Sequence, residues 1–156
     1  MSRRSRAREI ALQALYQRDQ NKSMTNEDAL NFLARRLAEP ELLELGKSLY
    51  LGTSKDLKTI DERLAQVADN WSVERMAVVD RNVLRLGIYE LYHGPETPFK
   101  VVLDEAIELA KRYGSEESPA FVNGILDKIA NDKNKSEAVS IETPPVEAPA
   151  EPSATV

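Results

Sequence analysis

Four arginines crowd the first eight residues, Arg3, Arg4, Arg6 and Arg8, with no acidic residue among them. The rest of the chain is acidic enough to bring the formal net charge to -5 at pH 7. A guanidinium is a planar fork of donors that matches the oxygens of a phosphate. On a helix, Arg4, Arg8, Leu12 and Tyr16 stand four residues apart and so fall in one row. A phenol beside guanidinium groups gives an unpaired base a surface to stack on. The same run also fits a frayed, solubilising N-terminus, and the residue types alone do not choose between the two readings.

Other groups that carry chemistry are sparse. Asp104, Glu105 and Glu108 are close enough in sequence to suggest paired carboxylates for acid-base work. They fall on the polar side of a helical pattern, with Glu108 four residues before Arg112, which is the spacing of a solvated helix face. The single histidine, His93, sits in a Gly-Pro turn, and there are no cysteines. The usual zinc ligand sets and any disulfide framework are thereby excluded. The six glycines are isolated, so no phosphate-cradling loop is present. An enzyme is not expected, and no cofactor or metal is implied. The net acidity argues against a protein that coats nucleic acid over its whole surface and leaves room for a local basic patch. The arginines are followed by no apolar run of signal-peptide type, and no stretch approaches the length of a membrane span. The lack of cysteine suits a cytoplasmic protein.

The elements that would position these groups read as helices throughout. Ala7, Ile10, Ala11, Ala14 and Leu15 make an inward stripe near the N-terminus, widened by Leu12 and Tyr16. Gln17 to Thr25 is polar and reads as a loop. Asn26 is placed to cap a second helix bearing Leu30, Phe32, Leu33, Leu37 and Ala38. Leu42 to Trp71 is apolar at helical spacing, with a break expected near Gly52 to Ser54. Ser72 is placed to cap a helix containing Met76, Val83, Leu84, Leu86 and Ile88, apolar on more than one side and so expected at the centre. Pro98 to Ile129 is the most regular stretch. Val102, Leu103, Ala106, Ile107, Ala110 and Tyr113 line one helix face, and Phe121, Val122, Ile125, Leu126 and Ile129 line the next. Gly114 is expected as a left-handed C-cap between them, and Ser118-Pro119 as the start of the second helix. From Lys133 to Val156 the chain turns to proline and glutamate without aromatics. That composition reads as a disordered acidic tail. Its four glutamates equal the four arginines in number, and a flexible tail of that kind would compete for the same basic surface. The expected fold is all-α, with about seven helices in residues 1–132 and the tail in residues 133–156.

The order of motifs is that of a known family. An arginine-rich start leads into Ala7-Arg8-Glu9 and Ala14-Leu15-Tyr16; then come Val83 to Leu91 (VLRLGIYEL), Pro98 to Gly114 (PFKVVLDEAIELAKRYG) and Phe121 to Ile129 (FVNGILDKI). From Arg3 to Asp132 the chain resembles the NusB family of bacterial transcription antitermination factors. The resemblance implies two perpendicular small bundles of three and four helices. It also implies binding of single-stranded boxA-type RNA together with a small-subunit ribosomal protein, NusE, and joining of an RNA polymerase complex with other Nus factors. Some members self-associate, so a homodimer is a further possibility; a related domain precedes RNA cytosine methyltransferases. Carried over position by position, the RNA-facing set is Arg3, Arg4, Arg6, Arg8, Tyr16, Glu117, Ser118, Phe121 and Asn123. Partner contacts fall on Glu74, Asp80 and Arg81. Tyr16 and Phe121 also fit the flank of the core, and Asn123 fits a backbone brace. Ser5, Pro119 and Ala120 depart from residues seen in relatives.

Overall fold

The computed structural model describes residues 2–69, 71–94 and 96–142, with residues 136–142 described through their backbone. The elements are α1 (Arg3–Gln20), α2 (Asn26–Arg36), α3 (Pro40–Lys55), α4 (Leu57–Val67), a short 3-10 turn (Val73–Arg75), α5 (Val78–His93), α6 (Phe99–Tyr113) and α7 (Ser118–Glu142). There is no strand among the described residues. α1, α2 and α3 contact one another, α4 to α7 form a second group, and α5 touches both groups. This is the all-α, seven-helix fold expected from the periodicity.

Of the face read on α6, Leu103 and Ile107 are only half-buried and Tyr113 is exposed. The inward stripes on three other helices are buried: Ala7, Ile10, Ala11, Ala14 and Leu15 on α1, Val83, Leu84, Leu86 and Ile88 on α5, and Val122, Ile125, Leu126 and Ile129 on α7. Together these make one continuous core. No helix of the described residues is long and apolar enough to cross a membrane.

Five details differ from expectation. Thr25 caps α2 in place of Asn26, because Thr25 and Asp28 form a reciprocal capping box. The break expected near Gly52 falls at Asp56 instead. Gly52 is needed for close packing: a Cβ there would lie 2.1 Å from Tyr89 Cζ. Gly114 is not left-handed, since its φ is -95°. Its constraint is again space, with a Cβ falling 2.4 Å from Ser118 Oγ. Ser72 caps the short turn Val73–Arg75, and α5 begins only at Val78. The last helix continues to Glu142, ten residues past the boundary read at Asp132. The remainder of the expected tail, residues 143–156, lies outside the described residues.

Candidate nucleic-acid interface

The N-terminal arginines are far less available than their sequence suggests. Arg8 is buried, and its Nε and Nη2 donate to the two carboxylate oxygens of Glu90 on α5 at 2.8 and 2.9 Å. Glu105 of α6 lies 3.7 Å from its Nη1. Burial would lower the Arg8 pKa, but the Glu90 hydrogen bond and the two carboxylates outweigh it and raise it. Arg6 donates to Glu9 Oε1 at 2.9 Å. Arg3 pairs with Glu39 and approaches Glu41 at 3.8 Å. Arg4 is exposed and has no partner among the described residues.

Glu9 organises this end of the molecule. Its buried carboxylate accepts from Arg6, from Arg112 Nη1 at 2.9 Å and from Tyr113 Oη at 2.5 Å. Burial pushes the Glu9 carboxyl up, but these three donors outweigh it and hold it below the ordinary range. The Tyr113 hydroxyl is pushed up by its own burial and by its bond to Glu9. The end of α6 is thereby clamped to α1, and the turn that follows Tyr113 is fixed beside the N-terminal half of α1. Within that turn the Ser115 N–H donates to Ser118 Oγ at 2.9 Å. Glu116 and Glu117 project from it, exposed.

Beyond the turn, α7 presents Phe121, half-buried, whose ring meets Trp71 edge to face with centroids 6.0 Å apart. Trp71 is 55% exposed, although the sequence pattern had placed it on an apolar helix face. Tyr16 is also exposed and lines a shallow groove with Gln13, Phe32, Arg36, Val79 and Tyr113. An exposed tryptophan supported by a second ring has no use in the core and is suited to stacking on a base.

The comparisons with known proteins decide the family. A model of the NusB family matches residues 5–131. The chain belongs to the NusB family. It is 48% identical over 130 residues to the transcription antitermination protein NusB of Sorangium cellulosum, a match spanning 83% of this chain and 93% of that one. A crystal structure of T. maritima NusB superposes with a TM-score of 0.79 at 38% identity, covering 88% of this chain and 98% of that chain. A chain in the crystal structure of antitermination factors NusB and NusE in complex with dsRNA superposes with a TM-score of 0.76 at 27% identity, covering 85% of this chain and 98% of the other. NusB is a family of non-catalytic antitermination factors.

Set against the NusB resemblance, the expected site residues divide. Arg3, Arg4, Arg6, Tyr16, Glu117, Phe121 and Asn123 retain exposed or half-exposed side chains. Arg8 is corrected to a structural role, because it is buried, its Nε–Nη2 edge is spent on Glu90 and its Nη1 faces Glu105. The row Arg4, Arg8, Leu12, Tyr16 is therefore not a surface ridge: its two middle members are buried. Ser118 is also corrected, being 1% exposed and committed to bracing the turn. Among the partner positions, Glu74 is exposed. Asp80 is buried, with its Oδ1 unpartnered, so it does not present a surface charge. Arg81 is turned inward: Nε and Nη2 each donate to Asp19 at 2.8 Å, and Nη1 donates to the Glu74 carbonyl at 3.0 Å. Sequence reasoning missed Glu9, Tyr113 and Trp71. The signal for Glu9 was present, since it is a lone acid flanked by the apolar positions Ala7, Ile10 and Ala11.

Proposed function

We propose that this protein is a non-catalytic RNA-binding antitermination factor. In this reading it grips single-stranded boxA-type RNA together with a small-subunit ribosomal protein, NusE. The pair then joins the RNA polymerase elongation complex, with other Nus factors, to support ribosomal RNA transcription in the cytoplasm. The residues that carry this reading all lie within residues 1–132. Membership of the NusB family supports it, as does likeness to a chain from a complex of NusB, NusE and RNA. That complex holds double-stranded RNA. The preference for an unpaired strand rests on the rings here, because bases in a duplex are already stacked and offer no free face to an aromatic side chain.

The observation that carries the proposal is the exposed Trp71 braced by Phe121, next to a turn that Glu9 and Tyr113 pin to the arginine end of α1. Arg3, Arg4 and Arg6 supply phosphate contacts, and Tyr16, Glu117 and Asn123 supply further exposed groups to the RNA. Trp71 is the only tryptophan in the chain, so its emission reports on this one surface. Single-stranded RNA should quench it, and Trp71→Ala should weaken binding by ~1–3 kcal/mol, the worth of one stacked base. Saturable RNA binding with unchanged Trp71 emission, and undiminished in Trp71→Ala, would sink the stacking assignment. Pull-down of the ribosomal protein with and without RNA tests the partner half of the proposal.

A further inference from the structure

A second surface lies at the C-terminal end of α1. Arg18, Asp19, Lys22, Asn26, Lys55 and Arg85 are among the residues lining a groove of about 560 Å³. The charges around it do not cancel. Asp19 and Asp61 are matched by Arg81 and Arg85: Asp19 takes bonds from both, and Asp61 takes two from Arg85 at 2.8 and 2.9 Å. That leaves Arg18, Lys22 and Lys55. Lys22 approaches only the already matched Asp19, at 3.7 Å, and Lys55 has no partner among the described residues.

Arg18 is the informative residue. Its Nη1 donates to Tyr50 Oη at 2.8 Å and to Asn26 Oδ1 at 2.5 Å, and the Tyr50 hydroxyl donates to the same Asn26 oxygen at 2.9 Å. Tyr50 is fully buried. The guanidinium is thus anchored by neutral groups through one nitrogen, while Nε and Nη2 have no partner among the described residues. A fixed guanidinium with its charge uncompensated and one edge unused is preorganised for a two-oxygen anion. Two lysines on flexible stems stand on the same groove to add point charges.

We propose that this groove is an oxyanion site that takes phosphate groups, either from a nucleic-acid backbone or from a free polyphosphate, with Arg18 as the fork and Lys22 and Lys55 as supporting charges. It is separate from the arginine end of α1: Arg4 and Arg18 are fourteen residues apart, ~21 Å along the helix axis.

The test is a titration of the full-length, isotope-labelled protein with sodium pyrophosphate at constant ionic strength, following the Arg18 Nε–H resonance by NMR. A saturable shift of that resonance is expected. Lys22→Glu with Lys55→Glu touches no internal contact beyond the 3.7 Å approach to Asp19. It should leave the thermal midpoint unchanged while weakening pyrophosphate binding about tenfold or more, the worth of a charge-assisted contact. Arg18→Lys, which keeps the charge and removes the fork, should also weaken it. A single-stranded oligonucleotide forms the second arm. If it shifts Arg18 with affinity rising with length, the site reads a polynucleotide; if only pyrophosphate does so, the site takes a small oxyanion. No saturable shift with either, or the same shift in the doubly reversed variant, overturns the proposal.

Discussion

Replacing Arg8 by alanine should damage the fold far more than it damages any surface. The Arg8 and Glu90 side chains are 3% and 7% exposed and are joined by two hydrogen bonds at 2.8 and 2.9 Å. Truncating one member of such a pair leaves the other charge buried without its match, which costs ~3–5 kcal/mol. A domain of this size has ~5–15 kcal/mol in total, so roughly a fifth or more of its stability is at stake. At ~4 °C per kcal/mol, the midpoint of thermal unfolding should fall by ~12–20 °C. Exchanging both partners for apolar residues, Arg8→Met with Glu90→Leu, removes the unmatched charge and should recover most of the loss. Arg4→Ala is the control: this exposed residue should shift stability by less than ~0.5 kcal/mol while flattening the salt dependence of RNA binding by ~0.7 in slope. The assays are urea and thermal melts by far-ultraviolet circular dichroism, with RNA titrations at several salt concentrations. An Arg8→Ala protein that melts within ~1 kcal/mol of the parent, yet loses RNA affinity as Arg4→Ala does, would refute the burial argument and restore Arg8 to the surface.

Two further predictions follow from interior contacts. Burial pushes the Asp19 carboxyl up, but Arg81, Asn82 and Arg85 outweigh it and hold it down to about 2. A depressed carboxylate contributes stability that is fully present above its unfolded value of about 4 and is lost as pH falls through about 2, here ~1–2 kcal/mol; urea melts across that window should show the loss, and Asp19→Asn should show less of it. Gly52→Ala would set a Cβ 2.1 Å from Tyr89 Cζ, on a ring already stacked against His93 at 4.9 Å. Overpacking of this kind costs ~1–3 kcal/mol, and Tyr89→Ala in the same chain should relieve part of it in a thermal melt.

The helices were legible because burial follows the 3.6-residue period, and that period is written locally. The stripe from Ala7 to Leu15 could be read without knowing what covered it. The capping box at Thr25 was equally local and was missed only because Asn26 looked the better cap; the Thr25-x-x-Asp28 spacing was there to read. The arginines were a different problem. Spacing placed Arg8 in a row with Arg4, yet Leu12 and Ala11 beside it already implied a face turned inward. What no local pattern could supply was the identity of the matching acids: Glu90 lies eighty-two residues away on α5, and Arg112 and Tyr113 reach Glu9 across more than a hundred. Gly52 and Gly114 were misread for the same reason. Each is small because of a distant or a folded-back side chain, Tyr89 in one case and Ser118 in the other. Trp71 follows the apolar pattern in sequence and departs from it in space, because α4 ends at Val67 and leaves it outside the helix.

The pairing of the N-terminal charges has a consequence for how RNA would be held. Arg3, Arg4, Arg6, Arg8 and Arg112 bring five positive charges to this end of the molecule, and Glu9, Glu39, Glu41, Glu90 and Glu105 bring five negative ones within 4 Å of them. The local field is therefore close to neutral, and the chain as a whole is at -5. Counterion release scales with the phosphates a protein neutralises, ~0.7 in slope for each on a single strand. With Arg3, Arg4, Arg6 and Arg112 exposed or half-exposed, this end of the molecule should contribute no more than ~3 to the slope for the protein alone. Affinity at physiological salt must then come from stacking on Trp71 and Phe121 and from a partner that carries the missing positive charge. A basic ribosomal protein is such a partner, and the acidic remainder of this surface would speed its arrival. RNA binding by the pair should accordingly be steeper in salt than binding by this protein alone. Equal slopes with and without the ribosomal protein would mean that the partner adds no phosphate contacts, and the division of labour argued here would fail.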